Sequence, residues 1–225
     1  MNAHKKMTAR EVADFVLARC EQAKQKKQSN ESIYKQISAF LKEAQDNHRK
    51  SYQGKDPAQS WKTVKGNAIE KIVRHIIDND IVSLGMVAVG GKEKDPMPKE
   101  VKEKLLIDYA NMGKHIPDSD IVIYERATYR VIAIVSVKST LRERVAQTGY
   151  WSLKTKSLTD KKHIKMLLVT LDEDGVLAKE ASAASKSRAI AEKDTDGVYV
   201  ISEKKLLPSD TIKPFHQFIG DIKRL

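Results

Sequence analysis

The chain has a single cysteine, no internal repeat and no long apolar run, and each shortage narrows what it can be. One thiol, Cys20, cannot make an internal disulfide, which fits a reducing cytosol. It falls at helical spacing among Val16, Leu17 and Arg19, the place of a small core residue rather than a nucleophile. No stretch approaches the ~20 apolar residues that cross a bilayer, and the N-terminus lacks the apolar core of a signal peptide. No membrane partner is therefore expected, and the cytoplasm is the expected compartment. His75 has no histidine or cysteine partner at ligand spacing. Asp172-Glu173-Asp174-Gly175 lacks the spacing and the closing glutamate of an EF-hand, so it reads as a turn.

What the sequence does have is a core and an excess of positive charge. Of its 225 residues 40% are hydrophobic, enough for one ordinary domain or a core with a small appendage. A net charge of +11 and a pI near 9.5 favour a polyanionic partner. Lysine and arginine contacts to phosphate supply sequence-independent, salt-sensitive affinity, without separating DNA from RNA.

Residues 8 to 27 read as an amphipathic helix capped by Thr8 with Glu11 in the reciprocal position. A second helix follows from Ser32 to about Lys50, with Ile33, Ile37, Phe40 and Leu41 on one stripe. The pair is either a DNA-clamping or dimerising appendage or simple packing on the core. Ser51 to Pro57 is a polar connector. A third helix is expected from about Ala58 to Asp78, on the stripe Ile69, Ile72, Val73, Ile76 and Ile77. Glu70 lies amid that stripe, where an unpaired carboxylate is costly. A salt bridge to Arg74, four residues on, is one way to satisfy it. Then come a strand over Ile81–Val89 ended by Gly90-Gly91, a charged loop over Lys92–Lys99, and a helix from Pro98 to about Asn111. Later elements are a strand Ile164–Leu171, a small-residue helix Ala178–Ala191 with Ser185 to Arg188 open to phosphate, a strand Gly197–Ile201 and a helix after Pro214.

The centre of the chain is Arg130 to Lys156. Val131 to Val135 is an unbroken apolar run that reads as a strand buried on both faces. It ends in Ser136-Val137-Lys138, with Ser136 and Lys138 on one face by alternation. Upstream, Pro117-Asp118-Ser119-Asp120 leads into the apolar Ile121-Val122-Ile123-Tyr124, and the short link to Val131 makes the two strands a hairpin. Acids at the head of one strand then meet a lysine at the tail of its neighbour. Carboxylates hold a hard cation such as Mg²⁺, which activates water and stabilises charge on phosphate, while a lysine orients the water or neutralises the phosphate. Ser139-Thr140 read as an N-cap for a helix from Leu141, whose first turn carries Arg142-Glu143-Arg144. Arginine pairs with O6 and N7 of guanine and glutamate accepts from N4 of cytosine, so this turn suits adjacent C·G pairs.

Taken together, these pieces resemble the type II restriction endonucleases that recognise sites containing CCGG, of the BsaWI type, within the PD-(D/E)xK superfamily. The resemblance spans roughly Pro117 to Trp151 and reaches back weakly to Glu70. It rests on Ser136-Val137-Lys138, in which serine replaces the family's usual acid, and on the three-residue spacer to Arg142-Glu143-Arg144. It implies an α/β fold with a restriction-endonuclease-like core, a mixed central β-sheet flanked by helices, and an N-terminal helical extension, divided as residues 1–55 and 56–225. It also implies Mg²⁺-dependent cutting of double-stranded DNA at a short palindrome by a homodimer. Asp120 would hold the metal, with Asp118 as the alternative; Lys138 would position or activate water, and Ser136 would fill the vacated acid slot. Arg142, Glu143 and Arg144 would read bases, and Lys154 and Lys156 would meet the backbone. One departure stands out: no acid lies between Glu143 and Asp160, where the family restores its missing carboxylate. Glu70 is the candidate to complete the metal shell. A structure-specific repair or junction nuclease on the same core, and a non-catalytic DNA-binding protein, are the competing expectations.

Overall fold

The computed structural model describes residues 7–92, 96–178 and 185–225; the side chains of Arg142 and Glu143 lie outside that description. Three helices come first. Helix α1 (Ala9–Gln25) starts at Thr8, whose hydroxyl accepts from the Glu11 amide while the Glu11 carboxylate accepts from the Thr8 amide. That is the reciprocal cap expected from the sequence. Helix α2 (Asn30–Ser51) is capped by Ser29, and α3 (Pro57–Ser83) by Asp56 with proline in its first turn.

α3 runs past Asp78, the end expected from sequence. Ile81, expected to open a strand, is instead the last buried residue of the helix, four positions after Ile77. The apolar stripe keeps its helical spacing there, and burial on that stripe outweighs the strand preference of Ile81-Val82. Each fully buried isoleucine on it contributes about 1.5–3 kcal/mol. Gly85, at φ +75°, makes the turn into β1 (Met86–Gly90).

The helix expected from Pro98 to Asn111 is also shorter than the sequence suggests. α4 covers only Lys99–Leu105. β2 (Ile107–Asp108), a 3₁₀ turn at Ala110–Met112 and β3 (Lys114–His115) follow. Leu105 and Ile107 are both buried, a spacing of two that suits extended chain, and Ala110 and Gly113 take positive φ in the turn.

β4 (Ile121–Glu125) and β5 (Val131–Lys138) form the expected antiparallel hairpin, with a bulge after Ile123. The remaining elements are α5 (Arg142–Lys156), β6 (Lys165–Thr170), α6 (Lys186–Asp194), β7 (Gly197–Val200), β8 (Ile212–Pro214) and α7 (Phe218–Ile222). Six strands make one mixed sheet in the order β1-β4-β5-β6-β7-β8, antiparallel from β1 to β5 and parallel from β5 to β8. The expected helix Ala178–Ala191 falls partly outside the described residues. In its described part, α6 starts after Ser185, which accepts from the Arg188 amide. Arg188 is buried and donates to the Leu177 carbonyl and to Glu192, so it braces the fold rather than facing phosphate.

Helices cover both faces of the sheet. On one side α1, α2 and α3 share a single core with alternate residues of the strands, including Ala133, Val135 and Val137, and with Phe215 and Phe218. Cys20 is buried in that core, as expected. On the other side Val101 and Leu105 of α4 pack with Val122 and Ile134, against Trp151 of α5. Leu141 and Val145 pack beside them with Leu168 and Val198. β5 is central and buried along its length until Lys138, so it delivers its last residues with little freedom.

Candidate active site

The hairpin register fixes the site. Ile121 pairs with Val135, and continuing that register places Asp120 across from Ser136 at the open end of the strands. The Asp120 carboxylate accepts from the Val137 amide at 2.7 Å and from Lys138 Nζ at 2.5 Å, both on Oδ2. Its side chain is only 8% exposed and that of Lys138 23%. The sequence-predicted acid and lysine therefore meet directly. Ser136 is buried on the same strand face as Lys138.

Glu70 reaches this point from α3. Together with Asp120 it lines a cleft of about 290 Å³ whose other walls include Asn67, Lys71, Arg74, Gly90 and Lys92. Asn67, Glu70, Lys71 and Arg74 are spaced three and four apart, so one helix face looks into the cleft. Glu70 is held by Lys92, whose Nζ lies 2.7 Å from Oε2, rather than by Arg74 as its spacing suggested. Lys92 was not foreseen as a site residue. It arrives because Gly91 lies so tightly on Ser119 that a side chain there would overlap it; the Ser119 hydroxyl donates to the Gly91 carbonyl at 2.9 Å. The Gly90-Gly91 pair before Lys92 was the available sign of that close approach.

Burial pushes the Glu70 carboxyl above its ordinary value, and the neighbouring Asp120 carboxylate adds to this, against the lowering effect of Lys92. Two carboxylates pressed together in a half-buried cleft suit a cation between them. Each already has one oxygen engaged by a lysine, and the two carboxylates lie within hydrogen-bonding reach of one another. Among the described residues no three or more histidine, cysteine or acidic side chains are grouped so that they could hold a metal ion. Two hard oxygen donors, with the rest of the shell left to water or phosphate, fit a Mg²⁺-like ion and not a closed zinc site.

The raised Glu70 carboxyl has a measurable consequence for stability. Above the usual carboxylate range the folded chain keeps a proton that the unfolded chain has lost, so stability falls as pH rises from about 4.5 through the folded value. In metal-free buffer the wild type should lose stability relative to Glu70→Gln over that interval, with no further divergence above it. Denaturant midpoints at a series of pH values check this; parallel curves for the two proteins would mean Glu70 titrates normally.

The other candidate residues are placed less centrally. Asp118 is exposed and accepts from Gln147 of α5, on the wall of a neighbouring cleft. Arg142, Glu143 and Arg144 open α5, and Arg144 is exposed. The start of α5 is not capped by Ser139 or Thr140. The Leu141 amide instead donates to both oxygens of Asp174, at 3.3 and 3.2 Å. A carboxylate from the 172–175 turn does the capping because β6 runs parallel to β5 and brings that turn alongside, and its charge favours the helix N-terminus. Lys154 stands 5.0 Å over the Tyr109 ring, and Lys156 pairs with Asp196 at 3.2 Å. Lys71 and Arg74, by contrast, have no ion pair among the described residues.

With this geometry in view, comparison with known proteins is decisive. Residues 98–221, more than half of the chain, match the family described as BsaWI restriction endonuclease type 2. The chain belongs to that family. Membership makes it a site-specific nuclease, and the matched segment contains Asp120, Lys138 and the whole of α5. This BsaWI-family chain is 28% identical over 203 residues to a Methanocaldococcus jannaschii protein assigned as the type II restriction enzyme MjaVIP, covering 84% of this chain and 89% of that one. A Helicobacter pylori protein assigned as the type II restriction enzyme HpyAORF263P is 27% identical over 147 residues, covering 60% and 75%. Among solved structures, the restriction endonuclease AgeI in complex with DNA is 12% identical with a TM-score of 0.60, covering 96% of this chain and 90% of that one. PspGI with substrate DNA is 15% identical with a TM-score of 0.56, covering 97% and 92%. At these identities the two structures establish the restriction-endonuclease-like fold of the family member. Among the described residues no helix is long and apolar enough to cross a membrane.

Proposed function

We propose that this enzyme hydrolyses phosphodiester bonds of double-stranded DNA with Mg²⁺, at a short palindrome containing CCGG, as a homodimer in the cytoplasm. The contact between Asp120 and Lys138 at the mouth of the β4–β5 hairpin, with Glu70 beside it, carries this reading. Asp120 and Glu70 are the residues that would hold the metal. When bound, the cation lowers the pKa of a water and offsets charge on the phosphate. Lys138 Nζ, fixed by Asp120, donates to the attacking water or to a phosphate oxygen as it gains charge. Ser136 fills the slot of the missing acid with a small polar group. Lys71, Arg74 and Lys92 line the cleft with the two carboxylates, so cations outnumber acids there and a phosphate is drawn in. We assign residues 1–55 to an N-terminal helical region and residues 56–225 to the nuclease core; the described helices α1 and α2 share one apolar core with α3.

Specificity is assigned to the first turn of α5. Arg142 and Arg144 pair with guanines and Glu143 accepts from cytosine, while Lys154 and Lys156 approach the backbone. A palindrome presents the same half-site twice, which a two-fold pair of subunits reads symmetrically. Arg142→Ala should cost about 1–3 kcal/mol of discrimination between the preferred site and a single-base variant. Lys154→Ala should weaken all sequences alike. Competition binding at fixed salt separates the two behaviours, and an Arg142→Ala enzyme with undiminished preference would remove this turn from the reading surface.

The direct test is incubation of the purified chain with plasmid DNA and Mg²⁺, followed by sequencing of the fragment ends. One fixed CCGG-containing sequence is expected at every cut. Cuts confined to junctions or flaps would instead identify a structure-specific nuclease, and binding without cutting would identify a DNA-binding protein.

A further inference from the structure

We propose that Lys92 is a tethered cation that holds Glu70 until metal and DNA arrive together, so that metal loading is coupled to DNA binding. The inference rests on the assignment of Glu70 and Asp120 to the metal. The two carboxylates are served by different kinds of lysine. Lys138 comes from the central strand β5 and is largely buried against Asp120. Lys92 follows the edge strand β1, and its side chain is 40% exposed over Glu70. It also stands on the wall between the catalytic cleft and a second cleft lined by Gly91, Leu106, Lys114, Pro117 and Asp118. Its side chain therefore lines both clefts, while Gly91 fixes its backbone against Ser119.

An ammonium at 2.7 Å from Glu70 and a divalent ion on the same carboxylate repel one another. With the ion a few ångström from Lys92 and the screening of a half-exposed cleft, that repulsion lowers metal affinity by about tenfold. A DNA phosphate entering the cleft offers the ammonium another acceptor, and a charged one makes a strong partner. Once Lys92 moves to phosphate, Glu70 is released to the metal. By linkage the metal then favours DNA to the same degree. Lys92 is thus a positioning residue that keeps the cleft from filling with metal before substrate is present.

The test is Mn²⁺ titration of the full chain without DNA, followed by the free-ion electron paramagnetic resonance signal. Lys92→Met should bind Mn²⁺ about tenfold more tightly than wild type, and Lys92→Arg, which keeps the charge, should match wild type. Lys92→Gln serves as a second neutral variant if the methionine disturbs folding. With a CCGG-containing duplex and Ca²⁺ in place of Mn²⁺, the gain in metal affinity on adding DNA should be smaller in the neutral variants. Neutral variants that bind Mn²⁺ no more tightly than wild type would overturn the role of Lys92 alone. A wild-type chain that takes up no Mn²⁺ would overturn the metal site and this inference with it.

Discussion

Lys138→Ala should lower single-turnover cleavage by about 10²- to 10³-fold while leaving DNA binding and Mn²⁺ uptake in place. The size follows from removing one preorganised donor aimed at developing charge, an interaction made mainly in the transition state. The chain around Lys138 is built to hold that donor still. β5 is buried from Val131 to Val137, and its last lysine is clasped by Asp120 Oδ2, which the Val137 amide also fixes. Truncation leaves Asp120 with the Val137 amide, so the carboxylate keeps its aim and its charge. Metal affinity should hold or rise, because a neighbouring positive charge is gone. Lys138→Arg restores charge but not the compact ammonium, so it should recover binding energy more than rate. The readout is the rate of strand cutting with enzyme in excess, alongside a binding isotherm in Ca²⁺. Cutting within tenfold of wild type would mean that the pair at Asp120 is structural.

Much of this site was legible because its parts obey local rules. The apolar run Val131–Val135 fixed the central strand, and alternation alone placed Ser136 and Lys138 on one face. The acid before Ile121 followed from the same hairpin. Glu70 was visible as a carboxylate in an apolar helix stripe, which called for a partner. That partner was misjudged, since spacing along α3 offered Arg74 whereas the tertiary fold brought Lys92 across from the end of β1. Contacts of that kind depend on sheet order, which no local pattern encodes. The cap of α5 was missed for the same reason: Ser139 and Thr140 had the right residue types, but the parallel β5–β6 pairing put Asp174 closer. Ile81 shows the opposite failure, a strand-favouring residue retained by a helix because its stripe was already buried.

Asp120→Asn should have the largest effect, a loss of at least about 10³-fold in cleavage with no detectable Mn²⁺ binding in the range occupied by wild type. The amide keeps an oxygen for the Val137 amide, so the hairpin stays closed. What it loses is the charge that makes two converging carboxylates a cation site; Glu70 alone, already paired with Lys92, offers too little. The same change removes the like-charge contact that helps hold the Glu70 carboxyl above its ordinary value. Against this, Lys138 loses a charged partner, but the asparagine oxygen can still accept from its ammonium as Oδ2 does in the wild type. The metal-free variant should therefore melt within a few degrees of wild type. Asp118→Asn is the matched control, because that side chain is exposed and bonded to Gln147 outside the cleft of Glu70 and Asp120. It should change cleavage by only a few fold. If the two variants exchanged behaviours, the metal would belong to Asp118 and the cleft between α3 and β4 would not be where the DNA strand is cut.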